Sequence, residues 1–207
     1  MHHHPKIKHW NNAELETEAA NLISRFGIYD NRALMIEEVV ARYGLKIFTI
    51  PGLSEIAEAF IPIKDGFIFI DEDQFNDGAY CLRVRFTLAE ELSHNVIHRS
   101  MFEGMSIEEI KAFQNSLTDE QYERIEQDAK YLAGALLMPE EVYRQRFQYF
   151  MANQAGSPHS QVVKLRYVMR QLSYDFVVSL QSASLRGVML KLIDWVQYNE
   201  LMELISS

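Results

Sequence analysis

Two carboxylates and two imidazoles stand close together at Glu90, Glu91, His94 and His98, inside the run Arg83–His98. Wound as a helix with Glu90 at zero, His94 falls at about 40°, Thr87 at about 60°, His98 at about 80° and Glu91 at about 100°. Leu88, Ala89, Leu92, Val96 and Ile97 fill the arc from about 160° to about 340°. A helix apolar over half its girth is buried on that side. Charged side chains avoid cores unless paired or metal-bound, so the polar arc is expected to line a cleft. Residues four apart on one helix face are also how a helix gives two ligands to one metal ion. The residue after the first ligand then points at the metal-bound water as general base. In the usual form both ligands are histidines, whereas here the first position holds Glu90. On spacing alone, a surface Glu90–His94 pair satisfies the pattern equally well.

A third ligand has to come from a second helix. The stretch Tyr122–Met138 carries an apolar stripe at Tyr122, Ile125, Ala129, Leu132, Ala133, Leu136 and Leu137. Glu126 sits at the edge of that stripe, while Asp128 is expected on the opposite, solvated side. Glu126 can therefore face a buried centre, or pair with Lys130 one turn on. Tyr122, Tyr131 and Arg85 could polarise a carbonyl, but aromatics at helical spacing are more often core.

Around these two segments the pattern predicts a helix over 13–26, with Leu15, Ala19, Leu22, Ile23 and Phe26 on one face and Gly27 at its end. A second helix is expected from about Asn31, through Leu34, Ile36, Val39 and Val40, to Gly44. Leu45–Ile50 reads as a strand closed by Pro51-Gly52, and Phe60–Ile63 and Phe67–Ile70 read as a hairpin about Lys64-Asp65-Gly66. Pro62 would place the first arm at a sheet edge. Asp71–Tyr80 reads as a loop. Ser106 with Glu109 and Thr118 with Gln121 form capping boxes, and Pro139 marks the start of another helix. Asn153–Ser160 is the best linker, followed by a tail of two or three helices. No internal repeat is present.

The chain has 207 residues, enough for one large domain or one domain with a helical appendage. Apolar residues make up 48%, which excludes wholesale disorder. A formal charge of −9 repels phosphate backbones, so direct nucleic-acid binding is not expected. Cys81 is the sole cysteine, which excludes a disulfide framework and a cysteine-built zinc site and suits the reducing cytoplasm. No apolar run reaches the roughly 18 residues needed to span a bilayer. Met1-His2-His3-His4 lacks the apolar stretch of a signal peptide and is assigned no function. Between Glu103 and Arg144 ten acids face four bases, expected to form a solvated helical face.

Arg85-Phe86-Thr87-Leu88-Ala89, then Glu91 and His94, then Glu126-Gln127-Asp128-Ala129 and Leu136-Leu137-Met138-Pro139 together resemble the ImmA/IrrE family of zinc metallopeptidases. The family pattern is R-F-T-x-A-H-E-x-G-H followed by E-x-x-A-N-x-F-A-x-x-L-L-M-P; Phe176-Val177-Val178-Ser179 adds a short match near the end. The resemblance covers roughly residues 13–190. It implies an α+β, mainly helical, zincin-like fold with a small sheet in the first third. It also implies a metallopeptidase-like domain over 13–152 and a helical extension over 159–207 packed on it. By the same resemblance His94 and Glu126 are metal ligands, Glu90 stands at the first ligand position and Glu91 is the general base. His98 and Lys130 flank them. Two departures bear on the chemistry, since Glu90 replaces a histidine and Lys130 an asparagine; a third, Ser93 for a glycine, matters less.

A Glu90/His94/Glu126 centre would hold Zn²⁺, with Mn²⁺ suited by its hard oxygens. Lys130 could instead neutralise both carboxylates without metal. A shifted His94–His98 ligand pair is a further arrangement, lacking a base at Asn95. The implied activity is a metal-dependent endopeptidase acting on a regulatory protein such as a helix-turn-helix repressor of a mobile element or stress regulon. The alternative is a non-catalytic pseudo-peptidase that binds such a regulator. In both, the partner is a protein, with no membrane involved.

Overall fold

The computed structural model describes residues 7–53, 66–72 and 81–206. Helix α1, Asn12–Phe26, starts on a capping box formed by Asn11 and Glu14 and stops at Gly27. Its buried face carries Leu15, Ala19 and Leu22, as the periodicity predicts. The next segment differs from expectation. Tyr29–Asp30 (β1) pairs antiparallel with Ala33–Leu34 (β2), and helix α2 spans only Ile36–Tyr43. The cause is local: Asn31 takes a left-handed φ of 53°, which its short amide tolerates and which turns the chain into a hairpin. Gly44 ends α2 at φ 99°, a conformation that needs glycine.

Strand β3, Lys46–Ile50, lies parallel to β4, Phe67–Asp71, with Lys46 beside Phe67 and Ile50 beside Asp71. The expected hairpin arm Phe60–Ile63 lies outside the described residues; among the described residues Phe67–Ile70 pairs with β3. Asp71 closes β4, and the remainder of the expected loop, from residue 73 to Tyr80, also lies outside them.

Helix α3, Cys81–Ile97, runs into a 3₁₀ turn at Arg99–Met101. Helices α4, Ile107–Ser116, and α5, Asp119–Leu137, both begin on the capping boxes read from the sequence. Pro139 holds the N-cap of α6, Glu140–Ala152. Beyond Ser160 come α7, Gln161–Phe176, α8, Leu180–Met189, and α9, Trp195–Ser206. The architecture is α+β and mostly helical, with its small sheets early in the chain. Among the described residues no helix is long and apolar enough to cross a membrane.

The centre of the molecule is the α3–α5 packing. Leu88, Ala89 and Leu92 meet a face built from Ala129, Leu132, Ala133 and Leu136, all fully buried. The alanines allow the two backbones close approach, which brings the polar arcs of both helices to one seam. Helix α1 covers the other side of α5. That cover overturns one expectation: Asp128 is buried rather than solvated. Trp10 supplies it a backbone hydrogen bond, and Arg124, whose Nε lies 3.0 Å from the carboxylate, also bonds the Trp10 carbonyl.

The tail helices are tied to the rest through polar contacts. Arg186 on α8 donates to Glu16 of α1 through Nη1 at 2.6 Å and Nη2 at 2.9 Å, and through Nε to the Met138 carbonyl at 3.0 Å. Tyr131 donates to the same carboxylate at 2.9 Å. Arg85 on α3 donates to the carbonyls of Leu34, at 2.8 Å, and Val177, at 3.1 Å.

Candidate metal centre

The seam between α3 and α5 gathers the groups read from the sequence. One ligand atom from each of Glu90, His94 and Glu126 lies within 4.8 Å of the others. His94 Nε2 is 3.6 Å from Glu126 Oε1. His94 is 3% exposed, whereas Glu90 and Glu126 are only half-buried, so the group opens toward solvent on its carboxylate side. Lys130 reaches the same place. Its Nζ stands 3.8 Å from Glu90 Oε1 and 3.6 Å from Glu126 Oε2, a cation shared by both helices. The two pairings weighed from the sequence, Glu126 toward a centre and Glu126 toward Lys130, thus coexist.

Behind this group, His94 Nδ1 and His98 Nδ1 lie 3.1 Å apart, and His98 is 1% exposed. One ring donates and the other accepts. When His94 donates, its Nε2 lone pair faces the carboxylates, the tautomer a metal ligand requires. Ser93 is fully buried and donates to the Ala89 carbonyl at 2.7 Å, so a hydroxyl fits where a glycine was the pattern. The shifted pair is not favoured: among the described residues the metal-capable group contains His94 but not His98.

Electrostatically the seam is short of positive charge. Burial, with Glu90 and Glu126 adding repulsion, pushes Glu91 up to about 8. Burial raises Glu90 to about 6 even though Lys130 pulls it down. Burial, the neighbouring His98 and Lys130 hold His94 down to about 3, so its imidazole is neutral. Burial likewise holds His98 down to about 4. Metal ligation needs a deprotonated imidazole and ionised carboxylates. The donor set therefore fits a divalent cation in spacing, protonation and unbalanced charge, provided Lys130 yields. At 52% side-chain exposure it has room to do so.

The remaining candidates separate. Tyr131 is buried and committed to Glu16, and Arg85 to two backbone carbonyls. Tyr122 is half exposed on the first turns of α5. A feature the sequence reading missed adjoins the seam: a cavity of about 210 Å³ between α5 and α8, bordered by Lys130, Phe86, Gly134, Met138, Leu185 and Met189. Its one sequence signal is a glycine inside a strongly helical run.

The sequence of residues 40–186 matches the peptidase M78 family model, described as the IrrE N-terminal-like domain. No curated protein matches the chain. Among solved structures, a transcriptional regulator of Mycobacterium tuberculosis shares the fold, with TM-score 0.53 and 18% identity. That alignment takes in 85% of this chain and 46% of the regulator, so the chain spans less than half of that protein. The match covers the α3–α5 seam and both of its chemical segments. The chain belongs to the IrrE N-terminal-like, peptidase M78 family.

Proposed function

We propose that the chain is a metal-dependent endopeptidase that acts on a regulatory protein, with Glu90, His94 and Glu126 holding the ion and Glu91 as general base. The convergence of three donor atoms within 4.8 Å, two of them from the helix that also carries Glu91, supports this most directly. A bound divalent ion would supply Lewis acidity to a peptide carbonyl and acidify a water. Glu91, adjacent to Glu90 on α3, would be the group that holds a proton between its removal from the nucleophile and its return to the departing amine. His98 keeps the His94 ring oriented through the Nδ1 contact. Two carboxylates on one ion reduce its acidity relative to a two-histidine centre, and Mn²⁺ suits the set as well as Zn²⁺. A helix-turn-helix repressor is the proposed target. The fold shared with a transcriptional regulator is in keeping with that setting, and the −9 charge argues for a protein partner rather than nucleic acid.

The test is elemental analysis of untreated protein, joined to incubation with a panel of purified helix-turn-helix repressors. Stoichiometric Zn²⁺ or Mn²⁺ with cleavage supports the reading. Glu91→Gln then lowers cleavage by about 10²–10⁴-fold with metal retained, while Glu126→Gln loses metal. If both variants behave alike, the assigned roles fail.

Lys130 favours a second reading. Its ammonium stands between the two carboxylates and can stabilise a metal-free member that binds a regulator without cutting it. Absence of metal and cleavage, with regulator binding unchanged by a chelator, selects this alternative.

A further inference from the structure

We propose that the cavity between α5 and α8 is a side-chain subsite of the cleft and takes one apolar residue, of leucine or phenylalanine size, from a partner polypeptide. The proposal rests on the reading that the seam meets a protein chain, in either its cutting or its binding form.

Three observations carry it. The first is continuity. Lys130 borders the cavity and also touches Glu90 and Glu126, so cavity and centre are one lysine side chain apart. Residues of an extended peptide follow one another at about 3.3 Å. A peptide group held at the centre therefore places a neighbouring side chain over the cavity.

The second is chemistry. Phe86, Met138, Leu185 and Met189 give apolar walls, and methionines reshape readily around an incoming group. Arg186 borders the cavity too, but its guanidinium is committed to Glu16 and the Met138 carbonyl, so it offers no free charge. Lys130, Gln181 and Ser182 also line it, and the Lys130 ammonium is already shared by Glu90 and Glu126; a cationic side chain would meet that ammonium, at a cost that an apolar one avoids. The volume of about 210 Å³ exceeds the roughly 150 Å³ in which an apolar cavity holds a benzene ring.

The third is Gly134. It lies inside α5, where alanine is the better helix former, yet a Cβ added there would meet nothing within 4 Å. Neither packing nor backbone conformation asks for glycine at this point. What glycine preserves is the open floor of the cavity.

The experiment follows the methyl NMR signals of Met138 and Met189 in ¹³C-methyl-methionine-labelled full-length chain, under chelator. The probes are N-acetyl-L-leucine amide and N-acetyl-L-phenylalanine amide, with N-acetyl-L-lysine amide and N-acetyl-L-aspartate amide as polar controls. The apolar amides are expected to shift both methyls saturably and the polar ones to leave them unmoved. Gly134→Leu should abolish the shift. Gly134→Ala, the milder variant, should weaken phenylalanine amide at least threefold more than leucine amide. Unmoved methyls, equal response to polar probes, or full binding in both Gly134 variants would overturn the proposal. The readout needs neither metal nor cleavage, so a failure of the peptidase reading is seen separately in the metal and repressor assays.

Discussion

At the residue scale, Glu91 and Lys130 answer to the same shortage of positive charge. Glu91 is raised to about 8 by burial and by its carboxylate neighbours. A folded-state value above the ordinary one near 4.3 means that the protonated form is favoured by folding. That contribution is complete below the ordinary value and is lost as pH rises through about 8. Glu91→Gln carries no charge at any pH. In metal-free protein its Tm relative to the parent should therefore rise from pH 5 to about pH 8 and level off above it; a constant difference would refute the assignment. Lys130 acts in the opposite sense, as a cation shared by the Glu90 and Glu126 carboxylates. Lys130→Asn removes it and Glu90→His restores an imidazole, so each should tighten Zn²⁺ binding and the double variant more so. Calorimetric titration showing no gain from the double variant would exclude lysine competition.

At the scale of elements, α3 and α5 were largely legible. Period 3.6 put Glu90, His94 and His98 on one arc of α3 and Glu126 at the edge of the α5 stripe, and the fold brings those arcs together. The capping boxes at Ser106 and Thr118 are short-range codes and read directly. What escaped was tertiary. Asp128 looked solvated because nothing local reveals that the chain near Trp10 crosses it. Asn31 looked helical because an apolar run continued past it, while a single left-handed residue redirected the backbone. Helix α5 also holds a stability gain not taken up. Gly134→Ala meets no neighbour and should stabilise the protein by about 0.5–1 kcal/mol, measured by denaturant unfolding. A loss of stability would mean that the helix needs the glycine for another reason.

Across the whole molecule, α1, α5 and α8 meet at one buried polar knot. Arg186 is 1% exposed and gives its guanidinium to Glu16, which also accepts from Tyr131. No periodicity reveals such a contact, since its partners are 170 residues apart. Glu16→Ala strands a buried guanidinium and should cost about 3–5 kcal/mol. Replacing both partners together, Glu16→Leu with Arg186→Met, should recover much of that loss. Differential scanning calorimetry of parent and variants checks both outcomes, and a double variant as weak as Glu16→Ala would show that the knot's geometry, not its charge, is what matters.

The same knot sets an order of events during synthesis. Helix α1 leaves the ribosome well before α8, which carries the guanidinium that neutralises Glu16. At about 5–20 residues per second, the 170 residues between them take on the order of 10–30 s. Through that interval the carboxylate of Glu16 has no guanidinium, and only the hydroxyl of Tyr131 can bond it once that residue emerges. The nascent chain must stay soluble with α1 unlatched, which exposes that helix to chaperones until α8 arrives.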